Sequence, residues 1–313
     1  MDKRTLPGGN AMKKFLYSKK AAPYVFILPF VLTFAIFWLV PLVKSGMMSM
    51  EKILPGQVEF IGISNYKRLF NDRVFKVAMG NSIKYMIWTL VLLIPIPLIL
   101  AVMINSKLVV GNVAGKIASF FKSSLFIPAL TSVVVAGTIF RLIFGEMDTA
   151  LMNQFIGLFG MGPIKWLKGS NTGFAALLSL ACWRWFGVNM MYFLAGLQSI
   201  PEDYYEAASM DGATGWQKFI KITVPQLKPT IVYVLTISVY GGLSMFTESY
   251  MLWQGNNSPQ NIGLTIVGYL YRQGIEKNDM GYASAVGVVL LVVVLFINLL
   301  QLMLTGMFKK EEK

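Results

Sequence analysis

The sequence predicts an all-α integral membrane protein with six transmembrane helices. Hydrophobic residues fill 55% of the 313 positions and charged residues only 14%, which is more apolar than the composition of ordinary soluble domains. Six apolar runs of about 20 residues, each long enough to cross a bilayer as a helix, are separated by polar segments. The fifth run is the weakest, because glycines and polar residues interrupt it. The predicted spans are residues 24–43, 83–104, 125–144, 174–197, 229–252 and 283–305.

Basic residues indicate how the chain is oriented. The formal net charge is +13, and most basic residues lie between apolar runs, where anionic lipid headgroups are their expected partners rather than nucleic acid. Lys13, Lys14, Lys19 and Lys20 precede the first run, which is longer than the apolar core of a signal peptide and lacks a small-residue cleavage site. We therefore expect a retained anchor, with both chain ends in the cytoplasm. The predicted domains are a cytoplasmic N-terminal segment, a transmembrane domain and a cytoplasmic tail, residues 1–23, 24–306 and 307–313.

Histidine and paired cysteines, on which many hydrolytic and metal sites depend, are missing from the sequence. It contains no histidine and one cysteine, Cys182, so a histidine-based triad, the common metal sites and an internal disulfide are unavailable. The nearest approach to a phosphate-binding loop runs from Gly111 to Lys116, but it is one residue short between its glycines and lacks the final hydroxyl. We expect a transport subunit without an ATPase site, a metal or a cofactor of its own.

The polar loop between the fourth and fifth runs predicts two short helices. Ser199 with Glu202 has the spacing of a capping box, which would begin the first helix. Gly212 can adopt the left-handed conformation that ends such a helix. Thr214 with Gln217 repeats the capping pattern for a second helix. The loop therefore predicts a compact helix, turn and helix on the cytoplasmic side.

Small residues in this loop allow two interpretations. Ala207, Ala208 and Gly212 would let another protein approach the backbone closely, but the alanines also favour a helix in a simple linker. Pro225 is expected to stop the second helix before the chain re-enters the membrane. The local physics leaves both interpretations open.

A resemblance favours the docking interpretation. Glu206, Ala207 and Ala208, followed by Gly212, Ile222 and Pro225, resemble the EAA loop of binding-protein-dependent ABC importer permeases. The surrounding stretch is similar to the sugar permeases of the maltose, glycerol-phosphate and multiple-sugar group. Further segments resemble the same group in the same order, namely residues 60–70, 126–129, 183–193 and 279–285.

The resemblance implies the type I ABC importer permease fold, with a cytoplasmic coupling helix in the loop at about residues 199–225. It further implies two ATP-binding subunits that bind ATP and magnesium, a second homologous permease subunit and an extracellular or periplasmic solute-binding protein, in a bacterial or archaeal plasma membrane. The implied coupling surface comprises Glu206, Ala207, Ala208, Asp211 and Gly212.

Polar groups inside the predicted spans are the candidates for a substrate path, because burying them in lipid is costly. Arg184 and Asn189 lie deep in the fourth span and Glu248 in the fifth, and Arg184 and Glu248 could pair with each other or bind substrate. The fifth span combines hydroxyls and aromatic rings, the mixture that binds sugars. The alternative is a helix that packs through Gly241 and Gly242. The other candidates in the fifth span are Tyr240, Ser244, Phe246, Thr247 and Tyr250.

These observations predict the permease subunit of an ABC importer for a carbohydrate, with an oligosaccharide favoured. Two alternatives stay open. A permease for glycerol-phosphate or another polar solute would use Arg184 as a fixed cation, and an ATP-independent secondary transporter belongs to a different class. Residues 254–259, in the loop that would face the binding protein, depart from the Gly-Gly-Gly-Pro run that is usual in the family.

Overall fold

The computed structural model describes residues 18–54, 56–105 and 112–306. The predicted tail and most of the predicted N-terminal segment, including Lys13 and Lys14, lie outside these residues, as does the start of the incomplete phosphate-loop pattern at Gly111. The described part is mostly helical and carries one short β-hairpin. Its helices are α1 Ala22–Met48, α2 Ser64–Asn71, α3 Arg73–Leu93, α4 Pro95–Asn105, α5 Asn112–Leu130, α6 Val133–Ile143, α7 Leu151–Gly157, α8 Ser170–Gln198, α9 Asp203–Met210, α10 Gly215–Gln226, α11 Lys228–Leu243, α12 Thr247–Trp253, α13 Ile266–Tyr271 and α14 Met280–Leu304.

Six segments of the described chain are long and apolar enough to cross a membrane, when each of two bent helix pairs is counted as one crossing. The prediction of six spans is thereby confirmed. Four crossings are the helical segments α1, α3 with α4, α8 and α14. The other two are the bent pairs α5 with α6 and α10 with α11.

The third span is not the straight helix that residues 125–144 predicted. Its two helices meet at 99°. Pro128 weakens the end of α5, because it has no N–H to donate and its ring crowds the preceding turn. Thr131 N–H then closes a turn on the Pro128 carbonyl at 3.2 Å, and Ser132 has non-helical backbone angles (φ −53°, ψ 131°) before α6 begins.

The fifth predicted span, residues 229–252, is also divided. Helix α11 ends at Leu243, and α12 begins only at Thr247. The break does not lie at the two glycines, which are helical. Gly242 instead allows close packing, since a Cβ atom there would lie 2.8 Å from the Met86 Cα of α3. Packing through glycine, which the sequence left as an alternative, is observed at Gly242.

The main apolar core lies where α3, α6, α8 and α12 meet. Tyr85, Phe140, Leu180 and Leu252 are among its buried side chains. Because α12 is turned away from α11 by the break, it can pack against α6, where Gly137 faces Met251 without room for a Cβ atom. The break is therefore part of the core packing.

A β-hairpin that the apolar runs did not predict follows the first span. Strands β1 Glu51–Leu54 and β2 Gln57–Phe60 pair antiparallel, with Glu51 opposite Phe60. The amide of Asn65 in α2 donates to the carbonyls of Ser49 and Glu51, both at 3.0 Å. These bonds fix the hairpin against the start of α2.

Five polar and aromatic side chains join α2, α3, α13 and α14 beside this hairpin, and we call them the anchor cluster: Arg68, Asp72, Tyr269, Asp279 and Tyr282. Asp72 Oδ1 caps α3 by accepting from the Val74 and Phe75 N–H groups, and its Oδ2 accepts from Tyr269 at 2.5 Å and Tyr282 at 3.2 Å. Arg68 lies 3.9 Å from the Tyr282 ring centre and donates to Asp279 at 2.7 Å. One carboxylate, Asp72, thus links the beginnings of the second and sixth spans.

Candidate functional site

A cavity of about 430 Å³ opens between α3, α8, α11 and the break before α12. It lies beside the interrupted fifth span, where the sequence predicted a substrate path. Six of the eight predicted path residues line it, namely Asn189, Tyr240, Ser244, Phe246, Thr247 and Glu248. The cavity is large enough for a small ligand, and its walls alternate aromatic rings with hydroxyl, amide and carboxylate groups.

Several lining residues were not among the sequence candidates. Trp185 and Tyr192 project from α8, and Tyr85 and Thr89 from α3. Positions 185, 188, 189 and 192 share one face of a helix because they are three or four residues apart. Extending that face in both directions from Asn189 would have found Trp185 and Tyr192. The α3 residues come from a distant part of the chain, and no local pattern indicates them.

Asn189 has a structural role as well as a place in the cavity wall. Its side-chain amide donates to the carbonyl of Leu93 at 2.7 Å. In a continuous helix that carbonyl would bond residue 97, but Pro97 has no N–H. Asn189 therefore satisfies an acceptor that the proline pair at residues 95 and 97 leaves unpaired.

Arg184 and Glu248 form the ion pair that the sequence allowed. Arg184 Nη1 lies 2.8 Å from Glu248 Oε1, and each side chain is only 12% exposed. Glu248 lines the cavity, whereas Arg184 is not part of its wall. The cation that a phosphate would need is therefore engaged by a carboxylate, which argues against glycerol-phosphate as the substrate.

Tyr250, the remaining path candidate, does not line the cavity. Its ring lies 5.2 Å from Phe246 and 5.8 Å from Tyr271, centre to centre, and Phe246 and Tyr271 are themselves 5.2 Å apart. Tyr250 and Tyr271 thus pack against the Phe246 ring, which lines the cavity. Tyr250 contributes to the site through this contact and does not line the cavity itself.

The predicted coupling loop forms α9, a left-handed turn and α10. Gly212 has φ +74°, as its predicted role as a helix end requires, and a Cβ atom there would meet no atom of the described chain within 4 Å. The second capping box is present: Thr214 Oγ1 accepts from Gln217 N–H, and Gln217 Oε1 accepts from Thr214 N–H. These two predictions of local structure are confirmed.

Two other predictions for the loop were wrong. Ser199 does not cap α9, because its hydroxyl donates back to Gly196 at the end of α8, and α9 begins only at Asp203. Pro225 does not stop α10, which continues to Gln226 before bending by 67° into α11. A wider π-helical turn over Phe219–Thr223 precedes the proline and accommodates the N–H that it lacks.

The predicted coupling residues lie together on the surface of the loop. Glu206, Ala207, Asp211 and Gly212 are exposed, and Ala208 is half-buried. Two large apolar side chains that the sequence reasoning did not single out, Met210 and Trp216, are 89% and 70% exposed on the same loop. Exposed apolar groups beside small residues are typical of a surface that another protein covers.

Two polar contacts connect the first helix of the coupling loop, α9, to α10 at the beginning of the fifth span. Lys218 Nζ donates to Ser209 Oγ at 2.7 Å, and the Tyr205 and Thr223 hydroxyls lie 3.0 Å apart. Both contacts join α9 to α10, which leads into α11, and α11 lines the cavity. A displacement of α9 would therefore be transmitted to the fifth span.

Several helical spans around a polar, aromatic cavity at a broken span are features expected of a transport protein. Comparison with known proteins narrows that class. Residues 108–309 match the family described as binding-protein-dependent transport system inner membrane component. The chain belongs to this family and is a multi-pass permease subunit of an ABC importer.

The chain is similar to named sugar permeases along most of its length. It is 54% identical to the arabinooligosaccharides transport system permease protein AraP of Bacillus subtilis, over 96% of this chain and 94% of that protein. It is 47% identical to the protein of the same name in Halalkalibacterium halodurans, over 96% and 92%. In fold it matches a chain of a bacterial ABC transporter involved in the import of the acidic polysaccharide alginate, with a TM-score of 0.81 at 24% identity over 97% and 99% of the two chains. The prediction of the type I importer permease fold is confirmed.

Proposed function

We propose that this chain forms half of the translocation path of an ATP-driven importer for arabinose-containing oligosaccharides. The observation that carries the proposal is the cavity at the broken fifth span, where aromatic rings lie beside hydroxyl, amide and carboxylate groups. Sugar C–H faces pack on aromatic rings, and sugar hydroxyls bond polar neighbours. The arabinooligosaccharide permeases that resemble this chain along nearly its whole length support the choice of sugar.

Hydrolysis of ATP takes place in partner subunits under this proposal. The chain has no complete phosphate-binding loop, so ATP and magnesium belong to two ATP-binding subunits. Glu206, Ala207, Ala208, Asp211 and Gly212 form the surface on which one of these two subunits docks. The protein then lies in the plasma membrane of a bacterium or archaeon, and the loop and both chain ends lie on its cytoplasmic side.

Two further partners complete the importer. A second, homologous permease subunit closes the side of the cavity that this chain leaves open. A solute-binding protein outside the cell delivers the sugar, in keeping with the family's dependence on binding proteins. The exposed residues Gln254, Asn257 and Pro259 and the exposed strand β2 are the contacts that we propose for that protein.

Affinity purification of the tagged chain from its native membrane in mild detergent tests the assembly. We expect an ATP-binding subunit, a second permease and a solute-binding protein to accompany it, and we expect that binding protein to bind arabinooligosaccharides in a sugar screen. Recovery of the chain alone, with sugar flux in vesicles that needs no ATP, would contradict the proposal. A binding protein that prefers a different solute would overturn only the choice of sugar.

A further inference from the structure

The cavity has an unequal charge distribution. Among the described residues that line it, Glu248 is the only side chain with a formal charge, and none is a lysine or arginine. A ligand in the cavity therefore faces a carboxylate and no lining cation of this chain. Within the low dielectric of a membrane protein, charges of like sign repel far more strongly than in water.

Arg184 holds this carboxylate in place from outside the cavity. Its Nη1 donates to Glu248 Oε1 at 2.8 Å, and its guanidinium carbon lies 5.5 Å from the ring centre of Trp185, which does line the cavity. The ion pair compensates for burying the charge of Glu248. Arg184 is thus a positioning residue, and it is not itself among the residues that line the cavity.

The second carboxylate oxygen of Glu248 is available to a ligand. Among the described residues, Oε1 receives the bond from Arg184, while no hydrogen bond reaches Oε2. A carboxylate can accept several hydrogen bonds, and those from hydroxyl groups are short and strengthened by its charge. Sugar hydroxyls are donors of this kind, whereas the carboxylate of an acidic sugar offers no donor and brings a repelling charge.

We propose, on the basis of the function proposed above, that Glu248 selects neutral oligosaccharides and rejects anionic ones, with Arg184 fixing the carboxylate that does so. The fold leaves this property open, because a transporter of the same fold is involved in importing the acidic polysaccharide alginate. The lining of the cavity decides it. Binding of a neutral sugar depends on the charge of Glu248, and so does exclusion of an acidic one.

The test compares two ligands that differ in a single terminal group, which is neutral in one and anionic in the other. Arabinotriose reduced at its end to the alditol and arabinotriose oxidised there to the aldonate have the same open-chain end, neutral in one and anionic in the other. Binding is measured by competition with labelled arabinotriose on the complete permease and ATPase complex, without the solute-binding protein, so that only the membrane cavity distinguishes the ligands. Maltotriitol and maltotrionate form a second pair.

For the wild type we expect the aldonate to bind at least about tenfold more weakly than the alditol, a difference of about 1.4 kcal/mol. Glu248→Gln keeps the shape but removes the charge, so we expect weaker alditol binding and a ratio of about threefold or less. The double variant Arg184→Gln with Glu248→Gln removes both charges and avoids an unpaired buried arginine. It should lose the discrimination in the same way.

A matched control is the ion pair of Glu146 with Lys168, also 2.8 Å long but outside the cavity. Glu146→Gln should leave the ratio unchanged. Thermal unfolding of each complex separates loss of folding from loss of selectivity.

Equal binding of alditol and aldonate by the wild type, or an unchanged ratio in both Glu248 variants, would overturn the proposal. If discrimination depends on Glu248 but appears only with the maltotriose pair, charge selection by Glu248 is retained and the choice of arabinose-containing sugars is overturned. If neither neutral sugar binds, both charge selection and the proposed oligosaccharide function are overturned.

Discussion

The anchor cluster and the coupling loop lie at opposite ends of the spans and keep their shapes by different means. In the anchor cluster, Asp72 alone accepts four hydrogen bonds from three elements of its own chain. In the coupling loop, Gly212 faces open space and Met210 and Trp216 are largely exposed. The difference indicates that the contacts of the anchor cluster are made within this chain, whereas the loop presents an exposed surface that the proposed ATPase would cover. Substitutions should accordingly reduce stability at one end and transport at the other.

The largest expected effect is that of Gly212→Val on transport. Valine is strained at φ +74°, and it would place bulk on the surface proposed for the ATPase. Uptake of labelled sugar should fall to background, while the amount of protein in the membrane stays near that of the wild type. Both are measured in the same cells, by uptake and by immunoblot.

Gly212→Asn is the matched control, since asparagine tolerates the left-handed conformation. If Asn restores uptake, the backbone conformation is what matters at Gly212. If it does not, the partner requires the space. Full uptake by the valine variant would contradict the assignment of Gly212 to the coupling surface.

At the other end, Asp72→Ala should mainly reduce stability. It removes the cap of α3 and leaves the Tyr269 and Tyr282 hydroxyls without their shared acceptor. We expect a loss of about 2–4 kcal/mol in the free energy of unfolding, from the cap and the buried hydroxyls together. Thermal unfolding of the purified complex measures it.

Asp148→Ala is a suitable control, because Asp148 is exposed and should change stability by less than about 0.5 kcal/mol. Equal unfolding temperatures for the two alanine variants would show that the anchor cluster is not needed for stability.

The anchor cluster also predicts that the stability of the folded protein decreases at acid pH. Burial would raise the pKa of Asp72, but the hydrogen bonds from Tyr269 and the backbone outweigh it, so the pKa lies below its usual value. A carboxyl group with a lowered folded-state pKa stabilises the protein above its unfolded pKa of about 3.9, and this stabilisation is lost as the pH falls through the folded value.

The difference in unfolding temperature between wild type and Asp72→Asn should therefore be constant from about pH 5 to 7 and shrink below about pH 4. Asn keeps an acceptor for the cap but cannot titrate. A difference that stays constant down to about pH 3 would show that the charge of Asp72 contributes nothing.

Sequence reasoning found the six spans because length and apolarity alone decide whether a helix can cross a bilayer. It did not find where spans break. Apolar runs continue through the bend after Pro128 and through the break before Thr247, since hydropathy does not record backbone direction. The carbonyl of Met245 at the second break accepts from Thr265 Oγ1 at 2.7 Å, a contact across 20 residues that no local pattern indicates.

Prediction of the candidate site divides in the same way. The polar groups of the fifth span and Asn189 were identified because a polar side chain in a span is unusual. Tyr85 and Thr89 were missed, because only the packing of α3 against α11 brings them to the cavity. In the loop, Gly212 and the second capping box were predicted from local chemistry, whereas the start of α9 was displaced by the bond from Ser199 to Gly196.

The smallest predicted effect tests whether the coupling loop has local stability of its own. Thr214→Ala removes the hydroxyl that accepts from Gln217 N–H at the start of α10. It should cost about 1 kcal/mol locally, seen as faster hydrogen exchange over residues 215–218 with no change in the unfolding temperature of the complex. Thr214→Ser keeps the hydroxyl and should exchange like the wild type. If the amides of residues 215–218 exchange equally fast in the serine and alanine variants, the loop is ordered by its partner rather than by the Thr214 cap. The contrast with the anchor cluster would then be sharper.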